Sequence, residues 1–99
     1  LNMLKKAYEK NPKSHYILES LAWAHFKKNN LKIASKLMEE VIIRAPGEAI
    51  SLDHLGDIYF AMGRKREAFY MWRQAKDLAE HEDDIIDNII VKLKKHNAG

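Results

Sequence analysis

Apolar residues recur along the chain at three- and four-residue intervals, in four runs separated by short breaks. The first run is Ile17, Leu18, Leu21, Ala22, His25 and Phe26, and it stops at Asn29-Asn30. Leu31, Ala34, Leu37, Met38, Val41 and Ile42 make the second. Leu52, Leu55, Gly56, Tyr59 and Phe60 make the third, which stops at Gly63, and Ala68, Met71, Trp72 and Ala75 make the fourth. This spacing gathers the apolar side chains onto one face of an α-helix, so the pattern predicts an all-α chain of amphipathic helices. Gly63 suits the left-handed turn between two helices, and Asn29 is the next most tolerant residue for that geometry. Pro12 and Pro46 mark helix ends, because proline disfavours helical geometry in the residue before it. Ser14 and Ser51 are the candidates to cap or open the helices that follow.

The runs are related to one another. Sliding the sequence by 34 residues sets Leu18 on Leu52, Leu21 on Leu55, Ala22 on Gly56, Phe26 on Phe60, Ala34 on Ala68, Met38 on Trp72 and Val41 on Ala75. The same offset carries Leu4 to Met38, Ala7 to Val41, Pro12 to Pro46, and Leu52 and Leu55 to Ile86 and Ile89. Small residues stay opposite small ones and large opposite large. A fixed period of this length is the mark of a stacked helical repeat, in which each unit buries its apolar face against its neighbours. Ala22, Gly56, Ala34 and Ala68 are then the places where helices approach closely, and Met38 and Trp72 fill the space between successive repeats.

The spacing Leu-Ala-x-x-His-Phe…Ala-x-x-x-Met-x-x-Val…Pro over 21–46 resembles a tetratricopeptide repeat, as does Leu-Gly-x-x-Tyr…Gly…Ala-x-x-x-Trp-x-x-Ala over 55–75. The run Asp53-His54-Leu55-Gly56-Asp57, with Gly63-Arg64 and Trp72 after it, is similar to repeats of larger bacterial proteins of that family. The resemblance implies a right-handed α-solenoid of antiparallel helix pairs in one domain. Its parts are the second helix of a truncated repeat (1–12), two full repeats (14–47 and 48–81) and a C-terminal capping helix (82–96). Two residues depart from the family pattern: His25 stands for the usual tyrosine, and Glu80 stands where the second repeat would end in proline. The chain opens at Leu1 in what reads as the middle of a helix, so the expectation is a piece of a longer protein.

In such solenoids the first helix of each repeat lines the concave side, and the family's function is to hold partner proteins. Carried over by position, the groove presents Tyr16, Glu19, Ser20, Trp23, Phe26 and Lys27, then Ile50, Asp53, His54, Asp57 and Phe60, then Asp84, Asp87, Asn88 and Val91. The residues carrying the expectation are Tyr16, Glu19, Trp23, Phe26, Asp53, Asp57, Phe60 and Asp87. An acidic groove with aromatic anchors favours a peptide or protein segment bearing Lys or Arg beside apolar residues. Members that clamp a peptide's terminal carboxylate use lysine, arginine and asparagine here, where this chain has Glu19, Trp23, Asp53 and Asp57, so acidic chaperone tails are not expected to bind. Alternative readings stand beside these. Phe26 and Phe60 fit core positions between helices equally well, Asp53 and Asp57 fit a solvated helix start, and Trp23 fits contact with a ligand or with a neighbouring protomer.

At the closing segment Asp83, Asp84 and Asp87 precede Lys92, Lys94 and Lys95, complementing the helix dipole at both ends, with Ile85, Ile86, Ile89, Ile90 and Leu93 as the apolar face. The first segment has no such cap: Leu1, Leu4, Ala7 and Tyr8 present apolar surface, an edge suited to homo-oligomer formation. Self-association is therefore the second functional reading, and an accessory domain of a larger enzyme the third.

Composition narrows the chemistry further. Apolar residues are 46% of the chain and charged residues 31%, enough for a core and for a solvated surface. The 17 basic and 14 acidic residues leave a net charge of +3 with the signs mixed along the chain, so nucleic acid is not an expected partner. Arg64-Lys65-Arg66 reads as a solvated turn and helix start rather than a phosphate site, since no aromatic or further basic cluster surrounds it. Cysteine is absent, which excludes disulfides and thiolate metal sites and leaves the compartment, cytoplasmic or exported, undetermined. No apolar run approaches the roughly 18 residues of a membrane span. None of His15, His25, His54, His81 and His96 lies three or four residues from another, so no metal site is expected. Glu80, Glu82, Asp83 and Asp84 read as a turn, no Gly-rich phosphate loop is present, and no serine has a recognisable base arrangement. The expectation is a scaffold without catalytic residues, metal or cofactor.

Overall fold

A computed structural model describes residues 1–79 and 83–96. It contains six helices: α1 (Asn2–Lys10), α2 (His15–Lys27), α3 (Leu31–Arg44), α4 (Ala49–Ala61), α5 (Lys65–Leu78) and α6 (Asp83–His96). Among the described residues there is no strand. The chain divides into two units, Leu1–Pro46 with α1 to α3 and Gly47–Gly99 with α4 to α6. The expectations for Glu80, His81 and Glu82 lie outside the described residues.

Each unit is built on a helical hairpin closed in the same way. The α2–α3 turn places Asn29 at φ 64°, and the α4–α5 turn places Gly63 at φ 82°. In the first, Asn29 N–H donates to Phe26 O at 2.9 Å and Asn30 N–H to His25 O at 2.9 Å. In the second, Gly63 N–H donates to Phe60 O at 3.0 Å and Arg64 N–H to Tyr59 O at 2.9 Å. This paired pattern around a left-handed residue satisfies carbonyls that the helix end leaves open. Asparagine and glycine are the two residues that reach this conformation at least cost, which is why the two breaks in the apolar pattern became turns.

Ser14 caps α2, its Oγ accepting from Ile17 N–H at 3.3 Å. Ser51 does not cap α4. The helix begins at Ala49 after Glu48, and Ser51 is buried inside its first turn. A small hydroxyl residue fits a crowded helix start as well as a cap, and sequence spacing does not separate the two.

In the first unit Leu18, Leu21 and Ala22 of α2 meet Ala34, Met38 and Val41 of α3 in a core that excludes water. In the second, Leu52, Leu55, Gly56 and Ile58 of α4 meet Ala68, Trp72 and Ala75 of α5, and Ile89 of α6 is buried with them. Gly56 is needed for close approach: a Cβ there would fall within the Trp72 indole, with Cε2 only 3.0 Å away. The indole is rigid and fully buried, so the chain must shift to make room. Gly56→Ala is expected to destabilise the fold by about 1–3 kcal/mol, the cost of overpacking, despite alanine's better helix propensity. A chemical melt in which Gly56→Ala matches or exceeds the parent contradicts this packing.

His25 takes the core position that Tyr59 takes 34 residues later, and both are buried. The Asn30 side-chain amide nitrogen lies 3.3 Å from His25 Nδ1, an arrangement in which the neutral ring accepts. Burial, then the charges of Lys5, Lys28 and the amino terminus, hold the imidazole below its ordinary value. In the unfolded chain the ring takes up a proton near pH ~6.5, whereas in the fold it resists doing so. Its stabilising contribution is complete above that pH and is lost as the pH falls toward the lower folded value. His25→Tyr should therefore flatten the stability profile of the chain just below neutrality, as read from melts at stepped pH.

Candidate protein-interaction site

α2 presents two faces. Leu18, Leu21, Ala22 and His25 point into the core, while Tyr16, Glu19, Trp23 and Phe26, three or four residues apart, form the opposite stripe. Tyr16 is 67% exposed, and Glu19, Trp23 and Phe26 are half-buried. The Trp23 and Phe26 rings lie 4.7 Å apart at an interplanar angle of 30°, and Tyr16 lies 4.0 Å from the His15 ring. These four side chains, expected from the sequence to share a face, do so as an aromatic ridge with one carboxylate in it. Ser20 and Lys27 beside them are exposed.

The second unit departs from expectation. Asp53 is 3% exposed rather than open to a partner. Lys92 of α6 reaches across to place Nζ 2.8 Å from Asp53 Oδ1 and 3.0 Å from Asp57 Oδ2. The Trp72 indole N–H faces Asp57 Oδ1 and the Asp53 carbonyl oxygen, each at 3.2 Å, and the Lys92 ammonium sits 5.9 Å from the Trp72 ring. Phe60 is enclosed in the same corner, with ring centroids 5.7 Å from Trp72 and 4.3 Å from His96. The cause is the third helix: α6 packs on both α4 and α5 and covers the acidic positions with its own cation. Asp53 and Asp57 are thus bonded within the unit, and Phe60 packs between helices, the alternative that its spacing allowed.

The electrostatics of this corner follow from its burial. Burial pushes the Asp57 carboxyl above its ordinary value; the hydrogen bond and charge of Lys92 pull it back, and Asp53 pushes it up again. Burial pulls Lys92 down, but its bonds to Asp53 and Asp57 and their charges outweigh that and leave it raised. Lys92 is the residue that sequence reasoning missed, because it stands among Lys94 and Lys95 at a helix end where a solvated, dipole-complementing role is the simpler reading. Asp87, with Asp84, Asn88 and Val91, lies exposed on α6.

Among the described residues, no three His, Asp or Glu side chains come together to hold a metal ion. Among the same residues, no helix is long and apolar enough to cross a membrane.

Residues 49–82, which contain the α4–α5 hairpin, match the family model for the Tetratricopeptide repeat. These residues are similar to a tetratricopeptide repeat. The fold agrees: a solution structure of a tetratricopeptide repeat domain protein from Salinibacter ruber superposes with a TM-score of 0.78 at 25% identity, over 90% of this chain and 93% of that one. A crystal structure of a tetratricopeptide repeat domain protein from the same organism gives 0.76 at 25% identity, over 87% of this chain and 99% of that one. Both neighbours are bacterial and the chain shares their helical-repeat fold. No curated protein is recognisably similar in sequence. Within the matched stretch 49–82, Gly56, Tyr59, Gly63, Ala68 and Trp72 carry the packing and the turn described above.

Proposed function

We propose that this tetratricopeptide-repeat chain is a scaffold that holds a segment of another protein against the outer stripe of α2. The observation that carries the reading is the stripe itself: Tyr16 open to solvent, Trp23 and Phe26 paired at 4.7 Å, and Glu19 on the same face of the helix. Aromatic side chains with a large contact area and few rotatable bonds are the residues that anchor partners most often. A carboxylate set among them favours a lysine or arginine beside the partner's apolar anchors. Asp53 and Asp57 are bonded to Lys92 within their own unit and are not part of this stripe.

The test uses a short peptide with alternating lysine and apolar residues, titrated against the chain with intrinsic tryptophan fluorescence and calorimetry. Saturable binding is expected, with Trp23→Ala weakening it by about 2 kcal/mol, the scale of an aromatic anchor at an interface. Glu19→Gln should weaken binding less and reduce its salt dependence. An acidic peptide of the chaperone-tail type should not compete. Equal affinity of Trp23→Ala and parent, or micromolar capture of the acidic peptide, overturns the reading.

A further inference from the structure

The outer face of α2 carries opposite charge toward its two ends. Glu19, Trp23 and Lys27 follow one another at four-residue spacing, so they stand in one row along the helix, carboxylate first, indole in the middle, ammonium last. With a rise of about 1.5 Å per residue, the row from Glu19 to Lys27 is about 12 Å long. Trp23 is half-buried and rests on Phe26, while Lys27 and Lys28 after it are exposed. Among the described residues neither lysine is bonded to a carboxylate. Lys32, four residues beyond Lys28, is exposed as well.

Helix dipoles account for only part of this pattern. Lys27 and Lys28 complement the C-terminal end of α2, but Lys32 opposes the N-terminal end of α3, whose first turn holds no acidic residue to offset it. Cations thus gather at the α2–α3 turn beyond what the two helices favour, and an anion brought to that end of the row would relieve them.

We propose that the segment held by α2 is bipolar: a basic residue over Glu19, an apolar residue over Trp23 and an acidic residue over Lys27 and Lys28. The proposal rests on the reading of α2 as the partner-binding stripe and adds to it a second charge and a spacing. An extended chain sets alternate side chains on one face and advances about 3.3 Å per residue, so its residues i, i+2 and i+4 span about 13 Å. That length matches the row on α2, and the sequence selected is basic-x-apolar-x-acidic. An extended segment reaches both charges with five ordered residues, whereas a helical one needs nine, and ordering fewer residues costs less. A wholly acidic segment meets Glu19 with like charge, and a wholly basic one meets the lysines.

Three end-capped peptides that differ at one position test this: Ser-Lys-Ser-Leu-Ser-Glu-Ser, and the same chain with glutamine or with lysine in place of the glutamate. In titrations followed by tryptophan fluorescence at low salt, the glutamate peptide should bind about 2–5-fold more tightly than the glutamine peptide, the worth of an exposed ion pair. The lysine peptide should bind more weakly than either. In a chain carrying Lys27→Gln and Lys28→Gln the glutamate and glutamine peptides should bind alike, whereas in Glu19→Gln the preference for glutamate should persist, with helical circular dichroism unchanged in both. Equal binding of the glutamate and glutamine peptides to the parent, with Trp23→Ala still weakening both, overturns this inference and leaves the stripe reading standing. So does a glutamate preference that survives the loss of both lysines. Absence of saturable binding by all three peptides, or binding that Trp23→Ala leaves unchanged, overturns both.

Discussion

Replacing Trp72 with alanine is expected to lower the unfolding free energy by about 3–5 kcal/mol, the range for deleting a large aromatic from a packed core. The side chain is 1% exposed and touches all three helices of its unit. Its ring lies against Gly56 of α4, its centroid is 5.8 Å from Phe69 on its own helix, and it stacks at 6.1 Å on His96 of α6. The indole N–H also points at the Asp53 carbonyl and Asp57 Oδ1, groups left short of a donor once it is gone. Small domains hold only about 5–15 kcal/mol in total, so a loss of this size should move the urea midpoint far and leave part of the population unfolded without denaturant. Trp72→Phe keeps most of the volume and removes the donor, and about 1–2 kcal/mol is the expected cost. The glycine supplies a cross-check. Gly56→Ala should cost stability in the parent and little in the Trp72→Ala background, where the new Cβ enters vacated space, giving a coupling of about 1–2 kcal/mol in a double-mutant cycle. Additive effects would mean that Gly56 is not where the indole packs.

Lys92→Met is expected to cost about 2–4 kcal/mol, nearly as much, although methionine matches the stem of lysine and suits a helix. Removing one partner of a buried ionic group leaves the other uncompensated, and here it leaves two. Asp53 has almost no access to water and Asp57 little, so without Lys92 two adjacent carboxylates remain in a poorly solvated corner. The figure lies toward the low end for buried pairs because a fifth of the Lys92 side-chain surface meets water. Two further measurements distinguish this cause from lost packing. The deficit of Lys92→Met should shrink as the pH is lowered through the carboxylate range, since protonation removes the stranded charges. Adding Asp53→Asn and Asp57→Asn should return most of the lost stability at neutral pH. A deficit that is independent of pH and unrelieved by the asparagines would show that Lys92 contributes only its methylenes.

The two large effects differ in how far each was foreseeable. Trp72 sits in the 34-residue register opposite Met38 and among small residues, so its place in the core is legible from the spacing alone. Its exact partners are not: the indole fills its own hairpin against Gly56 and extends to α6, and a period does not say which of several neighbouring helices a large side chain reaches. Lys92 gives no such signal, because a lysine near a helix end is usually solvated and its partners lie 39 and 35 residues earlier. The same contact explains why Asp53 and Asp57, placed by position on an open face, are covered.

The helices, the two left-handed turns at Asn29 and Gly63, the small residues at the close approaches and the buried stripes of α2 to α5 were readable in the order of the residues. Each is set by interactions between residues at most a few positions apart, or by a steric demand that only a few residue types meet, and both leave periodic marks in the chain. Which polar residues are solvated and which are bonded inside emerged only from the packing of the helices in three dimensions. The burial of Asp53, the pairing of its carboxylate with Lys92 and the enclosure of Phe60 depend on where α6 lies against α4 and α5. A charge is stable on a wet surface or in a dry, fully paired cluster, and the residue type alone is compatible with both.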